Sequence, residues 1–177
     1  DGWTALIMAA QEGHADCVEV LLKRGANPEA TEQLIGGTAL LAAATKGHAD
    51  CVEALLQGGA NVHAKNVHGV NSLIKAADHG RTDCCRLLLR AGADPAAKAD
   101  DGRTALHKAR DADVLRALLD ARAAVDHTDD FGRTALHTAR NADVFRALRA
   151  RRRAAVGILR QDRALAGSRN NVSAGPC

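Results

Sequence analysis

Two short pairs, His14-x-x-Cys17 and His48-x-x-Cys51, together offer two imidazoles and two thiols, a ligand set that zinc accepts. Their surroundings argue against a metal. The third occurrence reads Arg81-x-x-Cys84, so the histidine is not kept with the cysteine. Each cysteine lies in an apolar helical run, whereas each histidine follows a glycine or stands in a turn. Packed helices stand roughly 8–10 Å apart, too far for ligands on adjacent units to meet about 2 Å from one ion. Cys17, Cys51 and Cys84 are therefore expected to be core thiols, with no metal and no cofactor. The same spacing opposes a disulfide ladder along them, since bridged Cα atoms lie within about 7 Å. Cys84 and Cys85 are adjacent and point to different sides of one helix. Five cysteines, an odd number, fit a reduced intracellular protein, cytoplasmic or nuclear. In that setting the formal glycosylation acceptor Asn171-Val172-Ser173 reads as coincidence.

Other chemistry finds little support. The sequence holds no phosphate-cradling glycine loop, no serine nucleophile in a recurring context and no carboxylate pair outside solvated loops, so no enzyme is expected. His107 and His137 stand at equivalent places and are expected to bond backbone at the start of a helix. The run Arg149-Ala150-Arg151-Arg152-Arg153 matches a nuclear-localisation or nucleic-acid patch, but a solvated chain segment is the simpler reading.

These residues are positioned by a repeat. Thr4-Ala5-Leu6 recurs as Thr38-Ala39-Leu40, Asn71-Ser72-Leu73, Thr104-Ala105-Leu106 and Thr134-Ala135-Leu136, in steps of 34, 33, 33 and 30 residues. A glycine precedes each triplet by two positions: Gly2, Gly36, Gly69, Gly102 and Gly132. Gly13-His14-Ala15-Asp16-Cys17-Val18 returns as Gly47-His48-Ala49-Asp50-Cys51-Val52. Paired leucines follow at 21–22, 55–56, 88–89 and 118–119, and then Gly25, Gly59 and Gly92.

One unit reads directly. Thr4 caps a first helix by accepting a backbone N–H, and Asn71 does so equally well. Leu6, Ala9 and Ala10 form an apolar stripe with room for a close neighbour. Gly13 ends that helix through positive φ. Cys17, Val18, Leu21 and Leu22 line the buried side of a second helix, which ends at Gly25. From Asn27 to Gly37, which stands where Trp3 stands in the first unit, no helical period is present. Pro28 lies there too, so this segment is expected to be an extended loop or hairpin. Units four and five lack the Gly-His turn, and His107 to Val114 and His137 to Val144 join their helices directly.

The pattern resembles the ankyrin repeat, with its period near 33 and its Thr-Pro-Leu-His-x-Ala signature. Residues 1–149 carry the resemblance as five units: 1–34, 35–67, 68–100, 101–130 and 131–149. Residues 150–177 are expected to be a basic, disordered tail. His107 and His137 keep the signature histidine, while Ile7, Leu41 and Ile74 replace it; its proline gives way to Ala or Ser throughout. The resemblance implies an all-α solenoid of paired helices with projecting β-hairpin loops and a concave surface that recognises protein.

Composition agrees with thin helical layers: 46% of residues are apolar, yet only 2% are aromatic and none is tyrosine, where a compact enzyme core relies on large rings. Residues 1–149 carry 18 basic and 20 acidic side chains, which gives no reason to expect nucleic acid. No apolar run approaches the roughly 18 residues of a membrane span. A chain that begins at Asp1 reads as a fragment.

Core positions are fixed by packing, so recognition falls to the hairpins and the exposed face of the first helices. By register these are Trp3, Gln11 and Glu12; Leu34, Ile35, Thr45 and Lys46; Val67, His68, Val70, Asp78 and His79. Asp100, Asp101, Arg103 and Arg110 follow, then Asp130, Phe131, Arg133 and Arg140. Trp3 and Phe131 are two of the three aromatics, and Ile35, Val67 and Val70 add apolar area. Trp3 equally fits a side chain that packs on a further repeat. The expected function is a monomeric scaffold that holds a protein partner, with no small-molecule substrate. The alternative is the targeting region of a larger enzyme or channel.

Overall fold

In the computed structural model, which describes residues 2–139 and 142–150, the chain is a succession of helix pairs. α1 (Ala5–Glu12) pairs with α2 (Ala15–Lys23), α3 (Ala39–Lys46) with α4 (Ala49–Gln57), and α5 (Ser72–Asp78) with α6 (Thr82–Arg90). α7 (Ala105–Lys108) pairs with α8 (Ala112–Asp120), and α9 (Ala135–Thr138) precedes α10 over 142–150. The tail beyond 150, including Arg151 to Arg153, lies outside the described residues, as does Arg140.

Helix starts follow the side chains expected to cap them. The Ile7 and Leu41 amides donate to the hydroxyls of Thr4 and Thr38 at 3.2 and 3.3 Å, and the Ile74 amide donates to Asn71 Oδ1 at 2.9 Å. Each such bond contributes about 1 kcal/mol to a short helix. Gly13 ends α1 in the left-handed region. The missing Gly-His turn shows as a loss of helix: α7 and α9 have four residues where α1 and α3 have eight. Asp111 restarts the chain by accepting the Val114 amide at 2.7 Å, which caps α8.

First helices stack on first helices, α1 on α3, α3 on α5, α5 on α7 and α7 on α9; second helices do the same from α2 to α8. Ala10, Ala43, Ala44, Ala76 and Ala77 are fully buried along the first layer, where the lack of bulk lets helices approach. Val18, Val52, Leu55, Leu88, Val114 and Leu118 fill the space between layers. Burial of one such Leu or Val stabilises by about 1.5–3 kcal/mol.

Cys51, Cys84 and Cys85 belong to this core, and burial pushes the thiol of Cys84 up to about 11 and that of Cys85 up to about 12. Cys17 does not. It is exposed, together with Met8 and Val20, because no helix pair of the described chain covers that side of α1 and α2. The expectation of a core thiol holds at 51 and 84 and fails at 17. Leu21 and Leu22 are half-buried for a related reason: each packs against the core from one side.

Between the pairs run the expected loops. Asn27, Asn61 and Asp94 fold each loop by accepting the amide two residues on, at 3.0, 2.9 and 2.8 Å. Three of the four hairpins are held by isolated bridges, Thr31 with Thr38, Lys65 with Asn71 and Thr128 with Thr134, and the other by the Ala99 amide on the Arg103 carbonyl at 2.9 Å. Successive tips join through single backbone bonds: the Val67 amide to the Ile35 carbonyl, Asp100 to His68, and Asp130 to Asp101.

Candidate functional site

Three of the four hairpin tips carry a buried acceptor at one register position, where the remaining tip has Ala99. Asn66 Oδ1 accepts the His68 and Val70 amides, each at 3.0 Å. Asp129 Oδ1 accepts those of Phe131 and Arg133 at 3.0 and 2.9 Å. Glu32 takes this place in the first hairpin, and there the tip holds one residue more. The Glu32 amide bonds the Gly37 carbonyl five residues on, where Asn66 and Asp129 pair four residues on with Val70 and Arg133. The longer glutamate fits the larger loop, accepting the amides of Leu34, Ile35 and Gly37 at 2.6, 3.0 and 2.9 Å. The Gly37 amide first, then those of Leu34 and Ile35, hold the Glu32 carboxyl below its ordinary value against desolvation.

That first tip overhangs a cleft of about 250 Å³. Ile7 and Leu41 form its floor, Trp3, Leu34 and Ile35 its apolar walls, and Gln11, Thr45, Lys46 and Lys75 its rim. Trp3 therefore shares a cleft with the next repeat's tip.

A second, polar cleft of about 170 Å³ lies across repeats three to five, lined by Asp78, Arg103, His107, Lys108, Arg133, His137 and Thr138. Its charges are largely spent on one another. The fully buried Asp129 carboxylate takes Arg133 Nη2 at 2.9 Å and Arg103 Nε at 3.4 Å, while Asp78 takes Arg110 at 3.2 Å and Lys108 at 3.9 Å. Desolvation would raise the Asp129 carboxyl, but the Arg133 and Phe131 amides and both guanidiniums hold it well below the carboxylate range. The His107 imidazole is buried, and desolvation depresses its protonation. It accepts the Thr104 amide at Nδ1, so Nε2 carries the proton toward the Arg133 carbonyl. Both histidines act at the helix start as expected, since His137 repeats the Thr134 contact at 3.2 Å.

The expected surface residues divide by exposure. Trp3, Glu12, Leu34, Ile35, Lys46, Val67, His68, His79, Asp100, Arg110, Asp130 and Phe131 are exposed. Gln11, Thr45, Asp78, Asp101, Arg103 and Arg133 are half-buried. Val70 differs from expectation. It is packed against the core and adds little apolar surface. The loop carboxylates are not all solvated either, because Glu32 and Asp129 are buried and hydrogen-bonded. Gly37, Leu41 and Lys75, which the repeat register does not mark for recognition, are also gathered at the first cleft. The 34-residue step was the available signal, since it marks the hairpin that departs from its siblings.

The His14, Cys17, His48 and Cys51 set is not brought together. His48 Nε2 is engaged at 3.0 Å with the Gln11 carbonyl, and Cys51 is buried while Cys17 faces solvent. Among the described residues no group of three or more such side chains is placed to hold a metal ion. No described helix is long and apolar enough to cross a membrane.

The family model for ankyrin repeats (three copies) matches residues 6–99 and 73–157. No curated protein matches the sequence. Repeats of this kind are generally protein–protein interaction modules. With the capped helix pairs, the tip-to-tip hairpins and a family match over most of its length, the chain belongs to the ankyrin-repeat family.

Proposed function

We propose that the face where hairpin tips meet first helices is a groove that binds a partner protein, and that the chain works by binding rather than by catalysis. The observation that supports this reading is apolar area left uncovered at all the tips but that of Asp100 and Asp101: Trp3 is 40% exposed, Leu34 79%, Val67 62% and Phe131 72%. Phe131 also lies 4.8 Å below the Arg133 guanidinium, a rigid aromatic–arginine pair of the type that anchors interfaces. Gln11, Glu12, Ile35, Lys46, His68, His79, Asp101, Arg103 and Arg110 supply the polar and charged surroundings, with Val70 a support beneath them. Arg140 belongs to the same proposal by register alone.

The test is affinity capture on the full chain, followed by binding measurements on each captured protein with groove variants. Phe131→Ala and Arg110→Ala are each expected to weaken a true groove partner by about 1–2 kcal/mol. Deleting residues 154–177 is expected to change little. A partner that ignores both substitutions and is lost with the deletion would move the function into the tail.

A further inference from the structure

The first cleft exists because repeat two breaks the pattern of its siblings twice. The position just before the helix cap carries Trp3, Val70, Arg103 and Arg133 in the other repeats and Gly37 in this one. A Cβ at 37 would already stand 3.2 Å from Glu32 Oε1 and 3.4 Å from Leu41 Cδ2, so a larger side chain there would enter the cleft. The extra tip residue then pushes Leu34 and Ile35 out over the opening, and the buried Glu32 carboxylate fixes that larger loop through three amides. A repeat protein that departs from its own consensus in two places, with a dedicated internal brace, places the departure where function is expected.

The walls define the occupant. At about 250 Å³ the cleft has room for little more than one large side chain, and its exposed lining is mostly apolar. That suits one large side chain inserted from a longer chain. The charges at the rim define what flanks it. Lys46 and Lys75 line the cleft, and among the described residues neither has a carboxylate within ion-pair distance. The polar cleft differs, because there Arg103, Arg133, Lys108 and Arg110 are each matched to Asp129, Asp101 or Asp78. Glu32 lines the cleft as well, so two lysines against one carboxylate leave its lining net positive.

We propose that this cleft is the specificity pocket of the groove and takes one large aliphatic or aromatic side chain from an acidic segment of the partner protein, with Lys46 and Lys75 pairing the flanking carboxylates. The proposal rests on the groove reading given above and names the partner chemistry for it. Trp3 walls the pocket and is the only tryptophan in a chain without tyrosine, so its emission reports occupancy directly.

The experiment selects displayed random peptides on the full 177-residue chain and measures the enriched sequences by Trp3 fluorescence. Enriched peptides are expected to share one large apolar residue flanked by Asp or Glu and to shift the emission. Lys46→Glu combined with Lys75→Glu, both rim changes that circular dichroism should show to be folded, is expected to weaken them about tenfold or more. Gly37→Val, which installs the residue of repeat three, is expected to weaken them without regard to peptide charge. Basic consensus peptides, no enrichment, or acidic peptides indifferent to the lysine changes would overturn the pocket assignment. Peptides that ignore the lysines but are lost with Phe131→Ala would leave the groove reading standing alone. Peptides indifferent to both sets of changes would sink both readings.

Discussion

The Nε2 of His107 lies 3.0 Å from the carbonyl oxygen of Arg133, so one imidazole joins repeat four to the hairpin of repeat five. The same ring accepts the Thr104 amide at 3.3 Å and faces the Thr104 hydroxyl at 2.9 Å, which steadies a helix only four residues long. His137 makes the Thr134 contacts alone, and among the described residues no following hairpin meets its Nε2. His107→Ala is therefore expected to destabilise by about 1–3 kcal/mol, because it removes the bridge and strands the buried Thr104 amide. His137→Ala should cost no more than about 1 kcal/mol. Paired urea melts check the ranking, and equal losses would show that the inter-repeat bond carries no weight.

Acid should loosen the stack in two stages. The His107 imidazole is neutral in the fold because burial lowers its affinity for a proton. The unfolded chain binds that proton more readily, so this contribution is complete above about pH 6.5 and declines as pH falls below it. Glu32 and Asp129 are lowered in the fold, so their contributions are complete above about pH 4 and decline below it. Melting temperature measured from pH 8 to pH 3 should fall in both windows. His107→Gln should remove the upper step, and Asp129→Asn should reduce the lower one.

Much of the scaffold was legible because its determinants are local. Thr4, Thr38 and Asn71 cap helices through their own side chains, and Asn27, Asn61 and Asp94 turn the chain within three residues. The site was less legible because it depends on departures from the average. Gly37 reads as a gap in the pattern until Leu34, Ile35 and Trp3 are seen around it. Cys17 and Cys51 share every local feature, yet one is exposed and the other buried, since a neighbouring helix pair covers only Cys51. Val70 is half-buried for the same reason, through contacts that no periodicity displays.

The difference between the cysteines is directly measurable. Brief alkylation of the native chain, mapped by mass spectrometry, should label Cys17 at least about tenfold faster than Cys51, Cys84 or Cys85. Burial withholds the last three from the reagent and raises their thiols further from reactivity. Chelation with EDTA should leave the melting temperature unchanged, since His48 bonds the Gln11 carbonyl and Cys51 is buried in the core. Slow labelling of Cys17 reversed by a chelator would show that a metal holds it.

The stack should be weakest where a side chain occupies a glycine's place. Gly25, Gly59 and Gly92 follow the second helices with φ of 85, 85 and 89°, and Arg122 stands at the equivalent turn with φ of 62°. A residue with a Cβ costs on the order of 1 kcal/mol more than glycine in that conformation. Nothing lies within 4 Å of a Cβ built at Gly92, so Gly92→Ala tests backbone strain without a clash. It should destabilise by about 1 kcal/mol, and Arg122→Gly should stabilise by up to about that much, less the extra freedom glycine gives the unfolded chain. Each repeat leans only on its neighbours, so the strain at 122 stays local and adds to the shortness of α7 and α9. Amides over 122–139 and 142–150 should exchange with solvent faster than those of α3 to α6, and Arg122→Gly should slow them selectively. Uniform exchange, or a destabilised Arg122→Gly chain, would show that the left-handed turn at 122 is not the weak link.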